Sequence, residues 1–235
     1  MKPTRSRKRA GAVRPRAPRA PAAPRRTPGA PGADEAGARE RILGAALQVF
    51  AERGFDGART REIAERAGAN LGLLSYYFEG KEQLWQAAVA RAFGELQAEL
   101  GEIAALPAAE AREDARARLA RLLRRFVLFV ARRPEFMRLM NDEGKRDGPR
   151  MRWLADHHVR PLAEGLRGLF EHAQARGVLP PAPAASLHYI ALGAAGLLFS
   201  QAPECLYVSG VDPTAEGFPE AHADALVRIL LGPGA

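Results

Sequence analysis

At 235 residues the chain is long enough to bury a substantial core in one large or two small domains. Its one cysteine, Cys205, excludes an intrachain disulfide framework and fits a reducing compartment. No apolar run reaches the ~18 residues of a membrane span and the charged N-terminus carries no secretory signal, so a soluble, cytoplasmic protein is expected.

The net charge of +8 is unevenly placed. Residues 1–33 hold Lys2, Lys8 and eight arginines with no acid, which leaves a net charge of −2 for the rest. Seven prolines in the same stretch deny it a helix and a core, so residues 1–35 are expected to form a disordered basic tail. Such a tail suits a polyanion. A nucleic-acid-binding arm and a plain solubilising extension both fit its composition, while the prolines argue against the amphipathic helix of a transit peptide.

From Glu40 onward the pattern is helical and no alternating strand run occurs, which predicts an all-α chain. Ile42, Leu43, Ala46, Leu47, Val49 and Phe50 mark a first helix over about 38–53, closed at Gly54. Ile63, Ala64 and Ala67 form a short stripe closed by Gly68; Leu74 and Phe78 form another closed by Gly80. A fourth helix begins near Lys81. Longer helices are predicted over 81–105, 110–132, 135–144, 149–176, 183–202 and 219–231, with prolines at the breaks. Pro161 falls inside the apolar pattern of 149–176 and predicts a kink or a split there.

Two short helices joined through Gly68-Ala69-Asn70 have the plan of a helix-turn-helix. On a helical wheel Leu74 and Phe78 define the buried side, and Gly72, Leu73, Tyr76 and Tyr77 point away from it. Asn70 is placed to cap the second of the two helices. DNA accounts for the outward chemistry. Gly72 permits close approach to a groove wall, Leu73 and Leu71 suit a thymine methyl, and tyrosine and serine hydroxyls with Lys81 suit phosphates. Arg61 is placed to reach a guanine edge. For an isolated tyrosine pair, covering a core is the commoner role; the surrounding motif favours the outward one.

The stretch AALQVFAERGFDGARTREIAERAGANLGLLSYYFEGKEQLW, residues 45–85, resembles the N-terminal DNA-binding domain of TetR-family transcriptional regulators. The resemblance rests on Phe50 before Gly54-Phe55, on Thr60 with Ile63-Ala64, on Ala67-Gly68, and on Leu74, Tyr77, Phe78, Lys81 and Leu84. It implies a DNA-binding domain over 36–83 and a helical-bundle domain for ligand sensing and dimerisation over 84–235. It further implies that Thr60, Ser75, Tyr77 and Lys81 hold phosphates, and that Arg61, Leu71, Gly72, Leu73 and Tyr76 meet bases. Ser75 stands where the family usually has a tyrosine, and Tyr77 where histidine is common. The function implied is a homodimeric transcriptional regulator, a repressor released from an operator by a small molecule.

In the second half, Phe136, Met137 and Met140 are either core or the wall of an adaptable apolar pocket, with Trp153, His157 and Tyr189 as candidate polar handles. Gly193 and Ala194, flanked by Ile190, Leu197 and Leu198, permit close helix approach. With Leu226, Ile229 and Leu230 they suggest a two-helix surface that pairs with its own copy. An internal contact is the alternative. No phosphate-loop, nucleophile-elbow or metalloprotease motif is present, so no enzyme activity, cofactor or metal is expected. A nucleic-acid binder without sequence preference, driven by the tail, is the rival reading; a small helical enzyme is a weaker one.

Overall fold

The computed structural model describes residues 33–105 and 114–232. Most of the basic tail therefore lies outside the described residues, as does the predicted start of the helix at 110. Every regular element among the described residues is helical. They run as α1 (Ala33–Gly57), α2 (Thr60–Arg66), α3 (Leu71–Tyr77), α4 (Lys81–Ala105), α5 (Ala115–Arg132), α6 (Pro134–Glu143), α7 (Pro149–Leu154), α8 (Arg160–Ala175), α9 (Ala184–Ser200), α10 (Ala202–Ser209) and α11 (Phe218–Leu231).

The first four helices share a core of Ile42, Leu43, Val49, Phe50, Ile63, Leu74, Phe78 and Trp85, all buried. Gly54 breaks α1 with φ 67° and ψ 171°, a conformation open to glycine and strained for any residue with a Cβ. Gly68 makes the turn between α2 and α3 with φ 61°. Gly80 has no such backbone. The chain leaves α3 one residue earlier than the apolar spacing suggests, at Phe78, which is extended (φ −136°, ψ 125°) yet still buried.

α4 carries this core onward: Leu84, Trp85, Ala88, Val89, Phe93, Leu96 and Leu100 are buried along it. α5 is the central helix of the bundle, packed by α4, α8, α9 and α11, while α6 bridges α1 and α9. One contiguous apolar cluster runs from Ile42 to Leu231.

The predicted disturbance at Pro161 is a single widened turn, Ala155–Val159, in which the Arg160 amide bonds the Ala155 carbonyl five residues back. Proline has no amide to offer and its ring crowds the carbonyl four residues earlier, that of His157, so the extra residue in the turn relieves both defects. The helical path from 149 to 175 survives. The predicted 183–202 helix ends at Ser200, and α10, which the sequence pattern does not announce, follows with no side chain buried.

Candidate nucleic-acid interface and internal cavity

α2 and α3 have seven residues each, too short to persist alone in water. Packing and capping hold them. Arg66 donates to both carboxylate oxygens of Glu52 on α1 at 2.8 and 2.7 Å and to Glu62 at 2.7 Å. Its guanidinium holds the Glu52 carboxyl below the usual carboxylate range, chiefly through that hydrogen bond. The Asn70 side chain accepts from the Leu73 amide at 2.8 Å, an N-cap for α3. A Cβ at Gly72 would stand 3.2 Å from that same Asn70 oxygen, so the glycine makes room for the cap as well as for any partner outside.

The outer side of α3 exposes Leu71, Gly72, Ser75 and Tyr76, the last with 70% of its surface open. Leu73 and Tyr77 differ from the sequence expectation, because both are half-buried and rest against the core. The wheel treats α3 as a full cylinder, whereas the helix stops at Tyr77 and the turn to Phe78 folds the Tyr77 ring inward, 6.2 Å from that of Phe78. Tyr76 stacks edgewise on Tyr77 at 5.2 Å. Thr60 is partly exposed at the start of α2, and Arg61 is exposed and paired with Glu65 at 3.1 Å, a solvated pair that yields easily to a stronger partner.

Lys81 does not stand free for a phosphate. Its ammonium donates to the Asp56 carbonyl at 3.2 Å and lies 4.8 Å from the Phe55 ring centroid. The Arg150 guanidinium sits 4.0 Å from the same centroid. Phe55 therefore ties the start of α4 to the first turn of α7, in the stretch that follows α6, through two cation–π contacts.

That segment also borders a cavity of about 570 Å³, within the range of small-molecule sites. Phe93 and Leu96 of α4, Phe126 of α5, and Phe136, Met137 and Met140 of α6 form much of its wall. Met151, Val159 and Leu162 close one side, and His188, Tyr189 and Leu192 of α9 another. Asn141, Lys145 and Gln201 are polar groups on its lining. The pocket residues Phe136, Met137, Met140 and Tyr189 thus come together. Trp153 and His157 do not: Trp153 packs on Trp85 at 5.6 Å, and His157 stacks on Trp153 at 4.8 Å with its Nδ1 2.8 Å from the Trp153 carbonyl. Trp153 faces Trp85 of α4, His157 is exposed to solvent, and neither lines the cavity. His158 stacks on Phe93 at 4.8 Å with its Nε2 buried and unpartnered, and its pKa is lowered by burial first and by the neighbouring His157 second. Burial likewise lowers that of His188.

Across α9 and α11, Ile190, Gly193, Leu197 and Ile229 are exposed, Ile229 to 79%, while Ala194, Leu198 and Leu230 are half-buried. Leu226 belongs inside. It is 4% exposed, on the same stripe as Ala223 and Val227 that packs toward α5. The sequence reading missed α10, whose Leu206, Tyr207 and Val208 are exposed, Tyr207 to 87%. Val208 shares a groove with Gly193 and Leu197.

Residues 42–88 match the family described as bacterial regulatory proteins, tetR family. Over 151 residues the chain is 32% identical to the HTH-type transcriptional repressor NicS of Pseudomonas putida. Residues 42–88 thus form a tetR-family segment. The alignment covers 60% of this chain and 65% of NicS, and the HTH-type transcriptional dual regulator CecR of Shigella flexneri is 46% identical over 50 residues, 22% of its length. The chain therefore spans under two thirds of these relatives. Among solved structures, AibR in complex with isovaleryl coenzyme A and operator DNA superposes with a TM-score of 0.66 at 20% identity, covering 84% of this chain and all of that one. At that identity the likeness to AibR is one of fold.

Among the described residues no group of three His, Cys, Asp or Glu side chains is arranged to hold a metal ion. No helix among them is long and apolar enough to cross a membrane.

Proposed function

We propose that this protein is a sequence-specific DNA-binding transcriptional regulator, a homodimeric repressor released from its operator by a small molecule in the cavity. The single observation that carries the reading is α3: a seven-residue helix pinned from beneath by Leu74 and capped by Asn70, with Leu71, Gly72, Ser75 and Tyr76 turned outward. In this reading those four residues enter the major groove, Arg61 exchanges Glu65 for a base edge, and Thr60, Ser75 and Tyr77 meet phosphates. Two copies paired through α9 and α11, with α10 extending the apolar surface, present two α3 helices to successive grooves about one helical turn or a multiple apart.

The link between cavity and operator runs through one stretch of chain. Asn141, Gly144, Lys145 and Met151 touch the cavity, while Arg146 reaches Asp56 at 3.9 Å and Arg150 covers Phe55. A ligand that shifts this stretch moves the Phe55 anchor and with it Lys81, where α4 begins. It releases DNA only if it binds the shifted conformer more tightly than the operator-bound one.

Selection of bound duplexes from a random pool, followed by titration at two salt concentrations, tests the reading. Tyr76→Ala and Arg61→Ala should each cost about 1–3 kcal/mol on the selected duplex and little on scrambled DNA. Removal of residues 1–32 should flatten the salt dependence and keep the sequence preference. A selected duplex that binds no better than scrambled DNA, or a preference lost with the tail, sinks the proposal.

A further inference from the structure

The cavity has a polarity that specifies its occupant. His188 and Gln201 mark its extent along α9, thirteen residues apart, or about 20 Å of helix. Between them the wall is mostly apolar, built largely from phenylalanine, leucine and methionine, with Tyr189 beside His188 at the near end. At the far end, where α6 and α9 terminate, Asn141, Lys145 and Gln201 gather.

Charge is the discriminating feature there. The segment from 142 to 152 contains three carboxylates, and each is taken by an arginine: Asp142 by Arg146 at 3.3 Å, Glu143 by Arg150 at 3.2 Å, and Asp147 by Arg152 at 3.2 Å. Lys145, exposed at the rim, has no ion pair among the described residues, and no carboxylate lines the cavity. The Gln201 side chain is likewise without a hydrogen-bond partner among them. An ammonium-bearing ligand would enter an apolar tunnel whose one fixed charge repels it. A ligand with a single anionic head places that head on Lys145 with amides beside it, and leaves its body among the methionines.

We infer that the effector is an aliphatic monocarboxylate, an elongated apolar chain seated along α9 with its carboxylate at Lys145. This rests on the reading of the cavity as the effector site. The flexible wall supports a chain of variable shape, since Met137, Met140 and Met151 repack at little cost.

Calorimetric titration of the full-length protein with decanoate, decan-1-ol, decylammonium and decanoyl coenzyme A, paired with operator release, provides the test. Decanoate should bind, release operator, and exceed decan-1-ol and decylammonium by at least about tenfold, the scale of one charge-assisted hydrogen bond at a partly solvated site. Lys145→Gln should weaken decanoate by about tenfold and leave decan-1-ol unchanged. Lys145→Glu should invert the order of decanoate and decylammonium. Decan-1-ol or decylammonium equal to decanoate, or a Lys145→Gln variant that binds decanoate as the native protein does, overturns the carboxylate while the cavity reading stands. Tighter binding of decanoyl coenzyme A than of decanoate also overturns the free carboxylate and assigns the chain to a thioester. Failure of all four to bind overturns the inference, and decanoate binding indifferent to Leu192→Trp, which fills the cavity from α9, with thermal melting showing that variant folded, overturns the cavity as the site.

Discussion

Arg150→Met removes one guanidinium from two partners at once. Glu143 is 3% exposed and pairs with Arg150 at 3.2 Å, so the substitution leaves a carboxylate inside the protein without its counter-charge. Breaking a buried pair from one side costs roughly 3–5 kcal/mol, and the lower end applies because Arg150 itself keeps some contact with water. The lost contact with the Phe55 ring adds about 1 kcal/mol, while methionine preserves most of the packing of the arginine stem. The total, about 4 kcal/mol, corresponds to a fall of about 8–16 °C in melting temperature for a chain of this size. Adding Glu143→Gln should recover roughly half of that loss, because the second change removes the stranded charge. Differential scanning calorimetry of the four members of the cycle, at one protein concentration because dissociation of a dimer contributes to the transition, gives both numbers. Melting of Arg150→Met within about 2 °C of the native protein, or no recovery in the double variant, refutes the placement of these charges.

Asn70→Ala removes the cap of α3 and should cost about 1 kcal/mol in urea denaturation, with a further loss of operator affinity because the reading helix frays at its first turn. His158 is held below the ordinary imidazole value by burial, so the unfolded chain takes up a proton that the folded one refuses. Stability is then fully present above about pH 7 and declines as the pH falls below about 6.5, and His158→Phe should flatten that decline in urea titrations at pH 7.5 and 5.5. Ile229→Glu places a charge on an exposed apolar position of α11; sedimentation should report monomers with unchanged far-ultraviolet circular dichroism, and operator binding should weaken as the paired heads are lost.

α2 and α3 were legible because their signals are local. The Asn70 cap and the apolar spacing of Ile63, Ala64 and Leu74 each depend on a handful of neighbouring residues, and the structure keeps them. Tyr77 and Lys81 were harder, since their surroundings come from elsewhere: Phe78 beyond the helix end, and Phe55 and Asp56 from α1. The cavity shows the same division. Phe136, Met137 and Met140 share a helix and a face, whereas Trp153 and His157 suggested themselves by chemistry, and the packing of Trp153 on Trp85 turned them away. Leu226 was decidable from sequence, as its spacing from Ala223 and Val227 puts it on their buried stripe. α10 carried only Pro203 and Glu204 in its first turn as start signals and has no buried stripe to give it a period.

If α3 reads DNA as proposed, the contact between Gly72 and Asn70 constrains how that preference can change. Position 72 looks like the simplest place to retune recognition, being outward-facing and without a side chain. Any side chain there would bring a Cβ within 3.2 Å of the very oxygen that fastens the helix's first turn. Altered specificity and a well-anchored reading head therefore cannot be varied independently at this site. Engineering a new operator preference should begin at Leu71, Ser75 or Tyr76, and leave residue 72 alone unless residue 70 is redesigned with it.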